Sequence, residues 1–296
     1  MGSGRGGGGE NLPTLTPTSY RGPLSPTPTQ GHHGGMTASS RAHHHTRAHS
    51  FNAAAAQYAA NRPSYPPTLF DTMEHAAGHP LAGARAIDVG AGTGIATTLL
   101  HARGANVVAV EPGAGMARQF RQTLPDIPLV RGDGNALPFT DASADYVTYA
   151  QAWHWTEPAR AAPEAMRVLR PGGALALWWN MDALDIPWIA AQEQRVARYF
   201  GGDAVGKKGG TSARAERAFA GAITVPDITH HQVRWTRSVP LDTHLANIGS
   251  HSIFLVLGEE GTASFLAEER EHLLEVFPDG IVEETYDVDL LVALRP

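Results

Sequence analysis

Apolar and polar positions along the chain switch repeatedly between two periods. Ala86, Ile87 and Val89 form a short apolar run, and the form recurs at Asn106-Val107-Val108-Ala109-Val110-Glu111, Leu129-Val130-Arg131, Asp145-Tyr146-Val147-Thr148-Tyr149-Ala150 and Ala174 to Trp179. Between these predicted strands, apolar residues fall at helical spacing, as at Met116, Phe120 and Leu124 and again through Met166, Val168 and Leu169. An Arg170-Pro171-Gly172-Gly173 stop fits a reversal from that last helix into the fifth strand. Strands alternating with helices imply an α/β fold, doubly wound around a mainly parallel sheet with helices on both faces. Further on, Val233 to Trp235 predicts a strand, Leu241 to Leu257 and Thr262 to Phe277 predict helices, and Tyr286, Val288, Leu290, Val292 and Leu294 alternate along a final strand. That makes seven strands. Upstream, Phe51 to Tyr58 is helix-prone, a proline-rich break follows at Arg62 to Pro67, and Leu69, Phe70, Met73, Ala76 and Ala77 mark a second, packing helix. Residues 51–80 are expected to fold as a lid over the first strand-helix turn, and residues 181–228, rich in paired glycines, as an insertion over the same face.

The first strand runs into Gly90-Ala91-Gly92-Thr93-Gly94, which opens a helix. Glycines there permit a tight turn that brings a ligand against bare main chain, although such a turn can also be purely structural. The spacing is G-x-G-x-G, with Ile95 where a dinucleotide fingerprint has its third glycine, so a pyrophosphate is not the natural guest. Glu111 lies 23 positions after Asp88, at the end of the second strand. An acid there can accept both hydroxyls of a ribose, or be a solvated strand-end carboxylate. The polar turn after the third strand holds Gly132, Asp133, Gly134 and Asn135. Its acid can accept an adenine amine while the next amide donates to a ring nitrogen, and Met116 is placed to touch the same ring. The fourth strand runs into Gln151-Ala152-Trp153-His154-Trp155, which opens over the same crevice. Tyr58 and Arg62, one helical turn apart, present a hydroxyl and a guanidinium to a ligand carboxylate, or form a surface pair.

Composition narrows the classes. Of 296 residues, 42% are hydrophobic, enough for a sizeable core. A formal net charge of -6 argues against a nucleic-acid partner, which calls for a basic surface. With no cysteine there are no disulfides, thiolate metal sites or cysteine nucleophiles. No apolar run reaches the ~18 residues of a membrane span and no secretory signal core is present, so no membrane partner and a cytoplasmic location are expected. Residues 1–50 are rich in Gly, Pro, Ser, Thr and His and are expected to be a disordered tail. His32, His33, His43, His44, His45 and His49 offer only loose divalent-metal affinity without defined geometry, and no metal site is assigned. Met36, inside this tail, is an alternative translation start.

The residues Asp88-Val89-Gly90-Ala91-Gly92-Thr93-Gly94, Glu111-Pro112, Gly132-Asp133-Gly134 and Leu169-Arg170-Pro171-Gly172-Gly173, in this order and spacing, resemble the class I S-adenosylmethionine-dependent methyltransferases. The likeness spans Phe51 to Leu294. Phe51 with Tyr58, Arg62-Pro63-Ser64-Tyr65-Pro66 and Gln151-Ala152-Trp153-His154-Trp155 are similar to the trans-aconitate methyltransferase-like branch, whose members methylate small molecules. The chain departs from that branch at Ala91, where cysteine is frequent, and at Thr156, where an aromatic commonly follows the His-Trp pair.

The resemblance implies a Rossmann-like methyltransferase domain over residues 51–296 with S-adenosylmethionine as cofactor. It implies that Gly90, Ala91 and Gly92 approach the methionine part, that Glu111 with Pro112 lies at the ribose, and that Asp133, Gly134 and Asn135 meet the adenine. It also implies that Asp88 supports the turn or reaches the amino group, that Gln151 faces the sulfonium, and that Tyr58 and Arg62, in the lid, touch the cofactor or the acceptor. His154 is the candidate catalytic residue: a base, an acceptor-orienting group, or an ordinary strand-end histidine. Trp153 and Trp155 are candidate walls of an acceptor pocket, and His251, read as lying on a late helix, is a further pocket candidate. The expected activity is in-line transfer of a methyl group to a small-molecule acceptor, most simply at carboxylate or hydroxyl oxygen. The alternatives are a nicotinamide-dependent oxidoreductase and a non-catalytic S-adenosylmethionine-binding scaffold.

Overall fold

The computed structural model describes residues 61–200 and 228–296. The expectations for residues 1–50, the Phe51 to Tyr58 helix with Tyr58 itself, and most of the 181–228 insertion fall outside them. Seven strands form one sheet: β1 (Arg85–Val89), β2 (Asn106–Val110), β3 (Leu129–Val130), β4 (Ala144–Ala150), β5 (Leu169–Asp182), β6 (Ile228–Pro240) and β7 (Ile281–Leu294). Their order is β3-β2-β1-β4-β5-β7-β6. β1 to β5 run parallel, while β7 enters antiparallel to both β5 and β6. The direction of the sheet order reverses between β1 and β4, which is where open α/β sheets bind ligands beyond their carboxyl ends.

Eight described helices accompany the sheet: α1 (Pro67–Ala77), α2 (Ile95–Ala102), α3 (Ala114–Thr123), α4 (Pro158–Val168), α5 (Pro187–Tyr199), α6 (Leu241–Gly249), α7 (Ser252–Leu257) and α8 (Glu259–Val276). The period-two alternation of the strands divides the core between two faces. Ile87, Val89, Val147, Tyr149, Leu175 and Leu177 meet Ala161, Ala162, Ala165 and Val168 of α4. Ala86, Tyr146, Ala174, Ala176 and Trp178 meet Leu69, Phe70 and Met73 of α1 and Ala96 and Leu100 of α2. A third cluster joins Val239, Leu241, Leu245, Ile248, Phe254, Phe265, Leu273 and Val282, so α6, α7 and α8 fold against the ends of β6 and β7.

Four expectations change. The second lid helix, α1, lies flat on the sheet with Phe70 edge-on to Trp178, because its apolar stripe is deep enough to be core. Arg170 to Gly173 is an irregularity inside β5: the register runs from Ala144↔Leu169 directly to Tyr146↔Ala174, and Gly172 turns at φ 75°. It persists because Gly172 donates to the Arg295 carbonyl and Arg295 to that of Gly173. β5 also continues to Asp182, so the insertion begins later than position 181. The helix expected over Leu241 to Leu257 breaks after Gly249, where the Ser250 hydroxyl bonds back to the Asn247 carbonyl. His251 therefore sits in extended backbone at the joint before α7, and not on a helix.

Candidate functional site

The apolar run of β1 ends in three positive-φ glycines, and two of them do different work. At Gly90 (φ 68°) an added Cβ would lie 2.5 Å from the Ala152 Cβ, so this glycine lets the ends of β1 and β4 close together. At Gly92 (φ 59°) the Gly90 carbonyl, 4.0 Å away, is the only atom among the described residues to meet that position, so Gly92 leaves open backbone there. The turn is held on β2 by bonds from the Gly90 and Ala91 amides to the Val110 carbonyl, at 2.8 and 3.1 Å.

Beneath the turn Asp88 is 1% exposed and accepts hydroxyl bonds from Thr97 (2.6 Å) and Thr148 (2.9 Å). Burial raises its pKa to about 6, against the lowering effect of those two hydroxyls. Neither threonine was singled out from sequence, since they stand 9 and 60 residues away and carry no motif. Thr93, inside the turn, is also buried, and its hydroxyl has no hydrogen-bond partner among the described residues. A buried unsatisfied hydroxyl in the cradle is a position that an incoming polar ligand can satisfy.

Glu111, at the end of β2, is 7% exposed, with Oε2 accepting from the Gly92 amide (2.9 Å) and Oε1 from the Gly113 amide (2.6 Å). Burial pushes its pKa up, and the two amides pull it back only in part. Each oxygen keeps a second lone pair, so a braced carboxylate still accepts a pair of hydroxyls. Pro112 is exposed beside it, its carbonyl bonded to Arg131, and Met116 is buried on α3. One strand further out, Asp133 is exposed and accepts both the amide and the side-chain NH2 of Asn135 at 2.9 Å. Asn135 in turn accepts from the Glu157 amide, and the Tyr149 hydroxyl donates to the Gly134 carbonyl. The Asp-Gly-Asn turn is thus held by its own hydrogen bonds.

Gln151 closes β4 with φ 55°, a left-handed conformation uncommon outside glycine. Its amide donates to the Trp178 carbonyl (2.9 Å) and its side chain to the Asn180 carbonyl (3.4 Å). Strain of this kind collects where function fixes the backbone. The Trp153–Trp155 segment is a short 3-10 turn. Trp153 does not wall a pocket: it is buried, edge-on to Tyr149 at 4.8 Å, because the turn drives it into the core under β4. His154 is exposed and tilted against the half-buried Trp155 at 4.8 Å. Arg62 reaches across to the Ser250 carbonyl (3.3 Å), which places it beside His251 and away from Glu111. Ala152, Asn180 and Asn247 shape this region and went unnoticed in the sequence.

The residues brought together at the sheet reversal are an open glycine turn, a braced acid on β2 and an Asp-Gly-Asn turn on β3. Comparison with known proteins identifies the family. A family described as a methyltransferase domain matches residues 87–177. An uncharacterized methyltransferase of Mycobacterium tuberculosis is 39% identical over 191 residues, 63% of this chain and 70% of that protein. Demethylmenaquinone methyltransferase of Renibacterium salmoninarum is 40% identical over 96 residues, 32% of this chain and 40% of that protein. A solved methyltransferase structure from Anaeromyxobacter dehalogenans, 23% identical, superposes with a TM-score of 0.60 over 79% of this chain and 97% of that one, a likeness of fold. The chain belongs to the class I S-adenosylmethionine-dependent methyltransferases.

Proposed function

We propose that this methyltransferase binds S-adenosylmethionine in the crevice over Gly92 and Glu111 and methylates a small molecule, most simply at an oxygen. The observation that carries the reading is the braced Glu111 carboxylate, bonded to the Gly92 amide of the open turn. Bound there, S-adenosylmethionine supplies a methyl carbon activated by its positive sulfur. Glu111 and Pro112 hold the ribose side, Asp133, Gly134, Asn135 and Met116 the adenine side, and Gly90, Ala91 and Gly92 the methionine side. Asp88 fixes the turn from beneath. Arg62 lies at the acceptor end, and Gln151 forms the floor near the sulfur.

Transfer is an in-line displacement, so the chain aligns an acceptor and excludes water. An ionised carboxylate acceptor needs no base; a hydroxyl is helped by one, and His154 with Trp155 stands at that rim. The small-molecule reading is supported by the residues similar to the trans-aconitate branch and by the name of the demethylmenaquinone relative. Calorimetric titration with S-adenosylmethionine, S-adenosylhomocysteine and NADH tests the cofactor. Micromolar binding of the first two alone is expected, and binding by neither sulfur ligand overturns the proposal.

A further inference from the structure

A chain of buried polar groups runs along the β6–β7 edge of the sheet near the carboxyl end of β5, and its hydrogen-bond direction is set throughout. Arg195 clamps the Glu269 carboxylate with two bonds of 2.6 Å. Glu269 accepts from the Gln192 side-chain NH2 (2.9 Å), so that amide also presents a hydrogen to His244 Nε2, at 3.0 Å. His244 Nε2 thus accepts, and its Nδ1–H donates to Glu284 Oε1 (2.7 Å). Glu284, 1% exposed, takes Arg237 (2.5 Å) and the Tyr286 hydroxyl (2.9 Å) on its other oxygen.

With its hydrogen committed to Glu284, the Tyr286 oxygen accepts only, and Asn247 Nδ2 donates to it at 3.3 Å. The amide orientation of Asn247 is therefore forced, and its Oδ1 faces away as an acceptor. Asn247 is 4% exposed, and Oδ1 has no hydrogen-bond partner among the described residues. The network thus ends, among the described residues, in a buried open acceptor, the kind of group whose exception calls for an explanation.

Its neighbours belong to the acceptor side. The Tyr286 ring stacks on Trp235 (5.4 Å, 30°), and the Trp235 indole donates to Asn180 Oδ1, the residue whose carbonyl Gln151 holds. Tyr286 pairs with Asp182 on β5, two residues beyond Asn180, which is ~7 Å along the strand. The Asn247 carbonyl anchors the Ser250 hydroxyl, and the Ser250 carbonyl is where Arg62 docks, next to His251.

We propose that Asn247 Oδ1 binds the far end of the methyl acceptor and selects molecules carrying a hydroxyl or amine N–H there. This rests on the small-molecule reading above. A buried acceptor left unmatched penalises an analogue that lacks the donor, so discrimination of ~10-fold or more is expected. The test uses the full-length protein saturated with S-adenosylhomocysteine, and saturation-transfer NMR titrations of hydroquinone and its dimethyl ether, matched rings with and without donors. The wild type is expected to favour hydroquinone by ~10-fold, Asn247→Leu to lose the preference, and Asn247→Asp, which keeps an acceptor, to retain it. The homocysteine ligand should bind all three proteins alike. Equal binding of the two rings to the wild type, or an unchanged preference in Asn247→Leu, overturns the assignment and leaves the amide end to water. If Asn247→Leu does not fold, loss of the preference in Asn247→Asp serves as the overturning result. Failure of S-adenosylhomocysteine to bind the wild type instead overturns the cofactor reading, and this proposal with it.

Discussion

Glu111 Oε2 accepts the backbone amide of Gly92 at 2.9 Å, so the acid that ends β2 and the glycine turn that ends β1 are one unit. The Gly113 amide occupies the other oxygen. Replacing Glu111 by Gln puts an NH2 against one of those two donors and removes the charge. A hydrogen bond to a charged group contributes about 1.5–3 kcal/mol, so S-adenosylmethionine binding should weaken roughly 10- to 100-fold. Calorimetry on Glu111→Gln checks it, and an unchanged affinity would place the ribose elsewhere.

Gly90 faces two obstacles to substitution. An alanine Cβ would sit 2.5 Å from that of Ala152, and the backbone at φ 68° is strained for any L residue. Gly90→Ala should therefore destabilise the protein by several kcal/mol. The double variant Gly90→Ala with Ala152→Gly removes the collision and keeps the strain, so about 1–2 kcal/mol should remain. Denaturant midpoints of the wild type and the three variants measure the difference, and no recovery in the double variant would mean the ends of β1 and β4 are not in contact.

His154 is exposed on the 3-10 turn, tilted against Trp155. His154→Ala should cut turnover with the physiological acceptor well below wild type while leaving S-adenosylhomocysteine affinity within about twofold. Unchanged turnover would remove the histidine from the reaction. A loss confined to KM would make it an orienting group and not a base.

What could be read from sequence was whatever local patterning dictates. The strands announced themselves by apolar runs, and the Gly-Ala-Gly turn, Glu111 and Asp133 by their places after β1, β2 and β3. Contacts between distant positions carried no such signal. Thr148 reaches Asp88 across 60 residues, and nothing in Asp145 to Ala150 distinguishes that threonine from an ordinary strand residue. Trp153 and Trp155 are identical in sequence terms, yet the 3-10 turn buries one and leaves the other half-exposed. Arg170 to Gly173 has the composition of a turn, and only its pairing with Arg295 keeps it inside a strand.

Two buried carboxylates should tilt the pH dependence of stability in opposite directions. Asp88 has a folded pKa of about 6 against an ordinary 3.8, so the native state holds its proton more tightly than the unfolded chain. Its cost is present in full above pH ~6 and is relieved as pH falls, about 3 kcal/mol by linkage once both states are protonated. For Glu284, burial alone would raise the pKa, but the bonds from His244 and Arg237 outweigh it and hold the carboxyl below its ordinary 4.5. Its contribution is therefore present above about 4.5 and lost as pH falls through the depressed native value. From Asp88, stability should rise by about 1–1.5 kcal/mol between pH 7.5 and 5, and the Glu284 contribution is lost only in stronger acid. In Asp88→Asn the rise should shrink to the part that Glu111, whose pKa burial also raises, contributes, while the loss in stronger acid remains. In Glu284→Gln the rise should persist on a protein destabilised by about 3–5 kcal/mol, since Arg237 loses its buried partner. Urea titrations of the three proteins across this range decide it, and a rise undiminished in Asp88→Asn would assign the proton to another group.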